Sequence, residues 1–382
     1  MIGAGLGLVT LGVWTYLLLG HGGFWRADQT DAETPPAPEA WPAVTAVVPA
    51  RNEADVIARS IGSLLAQDYP GPFEVILVDD DSDDGTADAA KALAGPHRLT
   101  VLRGQPLPAG WTGKLWAMSQ GVAAAGEAPK YLWLTDADIA HDPDNLRRLV
   151  SRAEAGGFTL TSLMADLHCE TFAERLLIPA FVLFFQMVYP FRWVNRPDHR
   201  LAGAAGGCML AEREALARSG GVAAIRTAVI DDCALAANLK AQGPIWLGLT
   251  RRARSLRPYA TVGVVGQMIA RSAYAQLDYS PLKLVGTVLG LALTYLAPPA
   301  LALFGDGLAR WTGLAAWAAM ALAFQPMLRA YRRSPLWGIA LPMIATLYAA
   351  FTLRSAIDVW RGRGGQWKGR VQAAKGANRE KR

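Results

Sequence analysis

The feature that most constrains the fold is an alternation of β-branched runs with Ala-rich stretches between residues 44 and 280. The runs VTAVVPA, FEVILVDD, LTVLRG and YLWLTDAD are typical of buried strands, whereas ADVIARSIGSLLAQ and GTADAAKALAG have helical spacing. Strands that alternate with helices favour a mostly parallel sheet with helices on both faces. At roughly 240 residues, this segment is predicted to form one α/β domain.

An apolar segment and a linker precede this domain. Residues 2–20 are uncharged and close to the ~20 residues that cross a bilayer. A signal peptide needs a basic start and a small-x-small cleavage site, and nothing basic precedes this run. We therefore predict an uncleaved transmembrane anchor over 1–22. A linker over 23–42 follows, because 27–42 is acidic, Pro-rich and without periodicity, which is typical of a solvated segment.

The C-terminal region (281–358) contains three further apolar segments that are predicted transmembrane helices: 284–304, about 311–328 and about 336–353. The RAYRR loop before the last segment and the tail after it (359–382) are both basic. The positive-inside rule places both in the cytosol, which a single span between them forbids. Either one segment is re-entrant or broken, with Pro298-Pro299 and Pro342 as the predicted breaks, or the rule fails here.

One more apolar segment, 176–191, lies inside the α/β domain. It is shorter than a span and is interrupted by Pro179 and Pro190. Two placements stay open, a buried core helix and an interfacial helix that lies on the membrane. The arginines that follow the segment favour the interfacial helix.

Composition agrees with a membrane protein. Hydrophobic residues make up 52% of the chain and the mean hydropathy is +0.17, above what soluble two-domain proteins usually have. The net charge is +6, but the basic residues lie beside apolar segments and form no aromatic-interleaved stripe, which favours lipid headgroups over nucleic acid as the partner. The three cysteines match no metal or redox spacing, and we expect them to be reduced and cytosolic.

Polar residues follow the predicted strands at their carboxyl ends, the edge where open α/β sheets bind ligands. RNEA follows the first strand and DDDSDDGT the second. The five aspartates within 79–84 repel one another unless they are solvated, hydrogen-bonded or near a cation. A surface turn that caps a helix at Thr86 is the alternative interpretation. A calcium loop is excluded, because Lys91 stands at the position of its required Glu.

The strand YLWLTDAD ends in Asp136-Ala137-Asp138. Strand alternation would point both carboxylates the same way, so that both reach one hard divalent cation. The D-x-D pattern is a weak signal by itself because it occurs often by chance. Its value here depends on the order of the motifs before it.

In that order, VVPARNEA, VDDDSDDGT, GKLWAMSQG and LTDAD closely resemble the motifs of family 2 glycosyltransferases. The resemblance covers residues 44 to 280, with Ser119 where the family usually has Asn. It implies a GT-A domain over 43–280, an α/β fold with a mostly parallel central sheet, flanked by the N-terminal and C-terminal transmembrane helices. It also implies a nucleotide-diphospho-sugar as the donor.

The resemblance assigns the residues of the first two motifs to the nucleotide. Pro49, Asn52 and Glu53 would line the nucleotide pocket. Asp80 would contact the base, and Asp79 would bind the nucleotide beside it or support the loop as a turn residue.

The later motifs would contact the sugar and the diphosphate. Lys114 would approach the donor and Asp136 its ribose or sugar. Asp138 would ligate a Mg²⁺ or Mn²⁺ that neutralises the leaving diphosphate.

The segment AVIDDCALAANL lies where the family has its Glu-Asp catalytic motif. Asp231 replaces the Glu, and Asp232 would be the general base that deprotonates the acceptor hydroxyl, with inversion at the sugar. The alternative is a helix N-terminus with acids in its first turn. The preceding GAAGGCMLAERE resembles the family's acceptor-side loop and strand. It is not a dinucleotide fingerprint, because its glycine spacing differs and it opens no helix.

The segment GQMIARSAYAQL departs from the Q-x-x-R-W motif of polysaccharide-extending and ceramide-glucosylating members. Gln267 is one residue out of register with Arg271, and Ser272 stands where Trp is expected. This argues against a processive synthase. Arg271 is predicted either to contact the diphosphate or acceptor, or to face solvent or lipid.

The whole layout resembles the hopene-associated glycosyltransferases, which implies a membrane lipid as acceptor, in hopanoid metabolism. The expected protein is a multi-pass cell-membrane enzyme whose catalytic domain faces the cytosol. A processive polysaccharide synthase is one alternative. A non-enzymatic nucleotide-binding transporter or scaffold is the other, although the C-terminal segments carry few of the intramembrane charges that transport paths need.

Overall fold

The computed structural model describes residues 2–93 and 98–371, so the end of the predicted basic tail lies outside the described residues. The strands in chain order are β1 (Val44–Ala50), β2 (Phe73–Asp79), β3 (Leu99–Arg103), β4 (Tyr131–Leu134), β5 (Ile139–His141), β6 (Leu160–Asp166), β7 (Met209–Glu212), β8 (Ile245–Ser255), β9 (Gln366–Trp367) and β10 (Arg370–Val371). The helices are α1 (Ile2–Leu19), α2 (Ile57–Leu65), α3 (Thr86–Lys91), α4 (Gly113–Ala124), α5 (Asn145–Gly156), α6 (Phe172–Val188), α7 (Phe191–Val194), α8 (Arg213–Arg218), α9 (Asp231–Lys240), α10 (Val262–Ala273), α11 (Pro281–Leu291), α12 (Ala297–Phe304), α13 (Gly307–Ala330) and α14 (Leu341–Trp360).

The strands β1 to β8 form one sheet in the order β3-β2-β1-β4-β7-β6-β8-β5. The first four in this order are parallel, as are β6 and β8, whereas β7 is antiparallel to both neighbours and β5 is antiparallel to β8. The predicted mostly parallel sheet is confirmed. Because β1, β2 and β4 are parallel, their carboxyl ends meet at one edge of the sheet, where the polar motifs follow them.

The chain packs as two compact units, each assembled from separate stretches. The helical unit comprises Met1–Asp28, Cys169–Arg192 and Tyr259–Gly365. The sheet unit comprises Gln29–His168, Trp193–Pro258 and Gln366–Arg382. The limits of these units differ from the domain limits expected at 43 and 280. The expected domain limits stay a prediction.

The core of the sheet unit lies around β1. All seven residues of this strand are buried, because it has parallel neighbours on both edges and is covered on its faces. Helix α4 packs against β1 and β2 through Gly121. A Cβ at this position would lie 2.4 Å from Val47 Cγ1 and 3.2 Å from Val78 Cγ2, so only glycine lets the helix approach this closely.

Gly121→Ala is therefore expected to destabilise the protein by about 1–3 kcal/mol through overpacking. Gly62→Ala is the matched control, since Gly62 also lies in a helix and a Cβ there meets nothing within 4 Å. That control should be neutral or stabilising by up to about 1 kcal/mol, because alanine favours the helix. Thermal unfolding of both variants measures the difference, and equal melting temperatures would contradict the packing argument.

Among the described residues, four segments are apolar and long enough to cross a membrane. These are Ile2–Leu19, Phe172–Val194, Pro281–Phe304 and Pro335–Trp360. Helix α13, which includes the predicted span at 311–328, is not in this group. The prediction of terminal helices apolar enough to span a membrane is confirmed.

Pro179 lies inside α6, whereas Pro190 falls in the break between α6, which ends at Val188, and α7. The predicted interruption is therefore wrong at Pro179 and confirmed at Pro190. The expectation that this segment is too short for a span is wrong, because the stretch Phe172–Val194 is long and apolar enough to cross a membrane. More than half of its most apolar window, 56%, is buried, against 17% for α1, which agrees better with a packed helix than with one lying on a surface. The predicted breaks appear as local changes of helix type. A π-helical turn precedes Pro298-Pro299, and a 3₁₀ turn precedes Pro342.

The predicted solvated linker is partly a structured segment of the sheet unit. Asp31 is only 8% exposed, and its Oδ2 accepts a hydrogen bond from Thr250 Oγ1 at 2.6 Å. Arg148 donates to the Asp31 backbone oxygen at 2.7 Å, and Thr30 forms a parallel bridge with Leu249. The acidic composition predicted that this segment is solvated. Instead, Thr250 and Arg252 of the sheet unit provide the hydrogen bonds of the Asp31 carboxylate.

Candidate active site

The loops after β1 and β2 are joined by hydrogen bonds into one surface. The Asn52 backbone N–H donates to Ser82 Oγ at 3.0 Å, and Asn52 Oδ1 accepts from the Asp83 N–H at 3.1 Å. The Glu53 N–H donates to Thr86 Oγ1 at 2.8 Å. Asn52 has φ +51°, in the left-handed region that asparagine tolerates better than most residues. The two motifs predicted to share a ligand therefore do lie together.

The acidic loop is buried at its first two aspartates and exposed at Asp81, Asp83 and Asp84. Asp79 and Asp80 are 6% and 2% exposed, and Arg51 Nη1 lies 3.9 Å from Asp80 Oδ2. Pro49 is buried within β1, one residue before its end. Asp84 Oδ1 accepts a hydrogen bond from a backbone N–H at 3.0 Å at the start of α3, so the helix-capping interpretation holds for this aspartate.

Lys114 joins the β4 motif to the start of α9. Its Nζ lies 2.8 Å from Asp136 Oδ1 and 2.9 Å from Asp231 Oδ2, and its side chain is 15% exposed. Thr112 caps α4 by accepting from the Leu115 N–H, which fixes the first turn that carries Lys114. Burial works against the lysine charge, but the two carboxylates together raise the pKa of Lys114 above its ordinary value.

Asp232 lies in the first turn of α9, beside this lysine. Its Oδ2 accepts from the Gly206 N–H at 2.9 Å and its Oδ1 from the Cys233 N–H at 2.8 Å. A Cβ on Gly206 would lie 3.4 Å from Lys114 Nζ and 3.5 Å from Asp232 Oδ2, so the lysine and the carboxylate flank one point of the loop. Burial and the charge of Asp231 raise the pKa of Asp232 to about 6, against the opposing effect of Lys114. Asp232 thus lies at a helix N-terminus, as the alternative interpretation expects, and its role as the general base stays a prediction.

Asp138 belongs to a second ion-pair chain. Arg257 follows β8, and its Nε lies 3.0 Å from Asp138 Oδ2, while its Nη2 pairs with Glu53 Oε2. Strand alternation was the wrong basis for predicting the directions of the Asp136 and Asp138 carboxylates. Strand β4 ends at Leu134, and residues 136–139 form a turn that is closed by a hydrogen bond from the Ile139 N–H to the Asp136 backbone oxygen. The turn gives Asp136 and Asp138 different cationic partners.

The two chains are nevertheless electrostatically connected. Burial raises the pKa of Asp136, and the charges of Asp138 and Asp231 raise it further, against the effect of Lys114. Burial likewise raises the pKa of Glu53, and Arg257 and Lys368 oppose the rise. The charge of Asp138 therefore affects the pKa of a group in each chain, Asp136 in one and Glu53 in the other.

Formal charge along these connected side chains favours an additional cation. Six carboxyl groups face four cationic groups: Glu53, Asp80, Asp136, Asp138, Asp231 and Asp232 against Arg51, Lys114, Arg257 and Lys368. Within residues 2–93 and 98–371, no group of three or more His, Cys, Asp or Glu side chains is arranged to hold a metal alone. The donor set fits Mg²⁺ or Mn²⁺ bound by one or two carboxylates together with substrate phosphates.

Sequence reasoning missed two residues of the site. Arg257 and Lys368 carried no motif, and they are 119 and 315 positions away from the carboxylates Asp138 and Glu53 that they hold. Arg271 is exposed on α10 of the helical unit, so its predicted contact stays a prediction.

The chain is similar in sequence to a known family. The family model described as Glycosyl transferase family 2 matches residues 45–220, slightly less than half of the chain. This match supports the predicted family over that stretch. The stretch includes every predicted site residue of the first four motifs, through the D-x-D pattern.

Two curated relatives are similar over part of their length. Succinoglycan biosynthesis protein ExoO of Rhizobium meliloti (strain 1021) is 40% identical over 124 residues, 32% of this chain and 33% of that protein. An N-acetylglucosaminyltransferase of Mesorhizobium japonicum is 32% identical over 182 residues, 46% of this chain and 39% of that protein. The chain thus spans a third to two fifths of the relatives it matches.

A solved structure matches over nearly the whole chain. The mannosyltransferase PcManGT from Pyrobaculum calidifontis, in complex with GDP-Man and Mn²⁺, has a TM-score of 0.55 and 19% identity, covering 94% of this chain and 99% of that one. At this identity the likeness establishes the fold. The predicted GT-A fold is therefore confirmed.

Proposed function

We propose that this protein transfers a sugar from a nucleotide-diphospho-sugar to a hydroxyl acceptor, with inversion at the sugar. The observation that carries the proposal is Asp232, a carboxylate with a pKa raised to about 6, within the cluster that Lys114 organises. A base with such a pKa is ionised at neutral pH and still accepts a proton effectively. The family 2 domain and the motif order supply the reaction class.

The nucleotide would bind at the loops after β1 and β2. Asn52 and Glu53 lie on the turn after β1, which is hydrogen-bonded to the loop after β2, and the buried Asp80 begins that second loop. Pro49 is the last residue but one of β1 and Asp79 the last of β2, the two strands that support the turn. In this arrangement Asp80 contacts the base, and the fixed turn orients the nucleotide before the sugar reaches Asp136.

The chemistry then divides between the two ion-pair chains. Lys114 holds Asp136 toward the sugar and keeps Asp231 next to the general base, Asp232. Asp232 accepts the proton of the acceptor hydroxyl as that oxygen attacks the anomeric carbon opposite the diphosphate. Asp138 is the proposed ligand for Mg²⁺ or Mn²⁺, which when bound would neutralise the charge of the leaving diphosphate.

The acceptor is proposed to be a lipid hydroxyl at the membrane surface, as in the hopanoid role implied by the motif layout. Four described helices are apolar and long enough to span a bilayer, which supports a multi-pass protein. The sheet unit is proposed to face the cytosol. A saccharide acceptor is the second candidate, because ExoO is named for succinoglycan biosynthesis.

A donor panel tests this function. The full chain in nanodiscs should release nucleoside diphosphate from a UDP- or GDP-sugar with Mg²⁺ or Mn²⁺, and EDTA should abolish release. An inverted anomer on a lipid extract supports the lipid acceptor, and single additions to an oligosaccharide support the second candidate. Long products would instead indicate a processive synthase. Tight nucleotide binding without turnover across the panel would favour a transporter or scaffold.

A further inference from the structure

The C-terminal hairpin of the sheet unit reaches the proposed nucleotide turn. Strands β9 and β10 pair so that Trp367 lies opposite Arg370, which leaves Lys368 and Gly369 as a two-residue loop. Both have positive φ, +46° and +81°, as the tight turn of a right-twisted hairpin requires. The left-handed backbone conformation is unfavourable for a lysine, and such strain persists only where surrounding contacts hold the residue.

Among the described residues, the polar contacts of Lys368 are on the turn after β1. Its Nζ donates to the Asn52 backbone oxygen at 2.7 Å and lies 2.9 Å from Glu53 Oε1. Its own backbone oxygen accepts from Arg51 Nε at 3.4 Å. The Lys368 side chain is 21% exposed and that of Glu53 only 9%, so this ion pair is shielded from solvent far more than a surface pair.

Glu53 shares its carboxylate between two cations. One oxygen meets Lys368 and the other meets Arg257, whose Nε then reaches Asp138. Without Lys368, the buried Glu53 carboxylate would depend on Arg257 alone and would compete with Asp138 for the guanidinium. The hairpin tip is thus connected to the D-x-D turn through two intervening side chains.

We propose that Lys368 is a positioning residue of the donor site, which holds Glu53 so that Arg257 keeps Asp138 oriented toward the donor diphosphate. The proposal rests on the proposed function for its ligand class, a nucleoside diphosphate with a divalent cation. Lys368 touches no reacting atom in this scheme. It acts through the turn at 51–53 and the Glu53–Arg257–Asp138 chain.

The test compares Lys368→Ala, Lys368→Arg and the control Lys91→Ala in the full chain. Lys91 is an exposed lysine of the same unit, paired with Asp88 at 3.8 Å. Lys368→Ala should weaken binding of UDP or GDP with Mn²⁺ about tenfold in calorimetry, and raise the donor KM more than it lowers kcat, because one charge-assisted contact is lost. Lys368→Arg should recover most of the affinity, and Lys91→Ala should match the wild type.

A double-mutant cycle with Glu53→Gln separates positioning from a direct contact. If Lys368 acts through Glu53, the double variant binds no more weakly than the weaker single variant. Additive losses, or wild-type affinity in Lys368→Ala, would overturn the proposal. Nucleoside diphosphate binding without sugar transfer would defeat the proposed function while the affinities still decide the role of Lys368. A wild type that binds neither nucleotide would overturn both.

Discussion

Asp232→Asn should lower kcat about a thousandfold, with the donor KM nearly unchanged. The amide has the size of the carboxylate but cannot accept the acceptor's proton, and general bases contribute roughly 10²- to 10⁴-fold to rate. The donor contacts assigned to the other carboxylates stay in place. The measurement is steady-state transfer to the identified acceptor. Asp198→Asn, the same change in an exposed aspartate of the sheet unit, should retain wild-type rates.

The pH profile identifies the base independently of the rate loss. Because Asp232 must be ionised to accept a proton and its pKa is raised to about 6, log kcat/KM should rise with slope one below pH 6 and level off above it. Asp231→Asn should move this inflection to lower pH, since the charge of Asp231 raises the pKa. An inflection that survives in Asp232→Asn would assign the base to another group.

The same shift predicts the effect of this group on stability. The folded protein binds the Asp232 proton more tightly than the unfolded chain, whose pKa is near the ordinary 3.8. Its contribution to folding is therefore complete below about pH 4 and is lost as pH rises through about 6. At the pH where Asp232 is ionised for catalysis, its raised pKa therefore lowers the free energy of unfolding.

Sequence patterns predicted the sheet well where burial and composition agree. Strands β1 and β2 are runs of β-branched residues buried by neighbours on both sides, and such runs are recognisable without tertiary information. Their polar continuations then fall at the same edge because the strands are parallel. Asn52, Asp80 and Asp136 could be placed at one edge from the sequence for this reason.

Patterns failed where a contact depends on distant segments. The direction of the Asp138 side chain was predicted from strand alternation, but it depends on the turn after β4 and on the ion pair with Arg257. Lys368 appeared only as part of a basic tail, although its side chain holds Glu53. Pro179 suggested an interruption, yet α6 continues through it because one missing N–H costs less than loss of the helix's buried face. None of these outcomes is encoded in local periodicity.

The second large effect is expected from Lys114→Met. The change leaves Asp136 and Asp231 without their shared cation, and removing one partner of a buried ion pair costs about 3–5 kcal/mol. Some solvent reaches the site, since the lysine side chain is 15% exposed, so about 3 kcal/mol is expected at pH 8. Transfer activity should fall as well, because Asp136 loses the contact that directs it.

The loss of stability should itself depend on pH, which distinguishes electrostatics from packing. Lys114 opposes the rise in the pKa of Asp136, so its removal raises that pKa further, and protonation at pH 5.5 should relieve much of the repulsion. The control Lys130→Met removes a half-exposed lysine that pairs with Glu154 at 2.6 Å, and should cost less than about 1 kcal/mol at either pH. Thermal unfolding of both variants at pH 8 and pH 5.5 provides the four values. A Lys114→Met penalty that is equal at both pH values would mean that the lysine stabilises the site by filling space, with the two carboxylates already protonated.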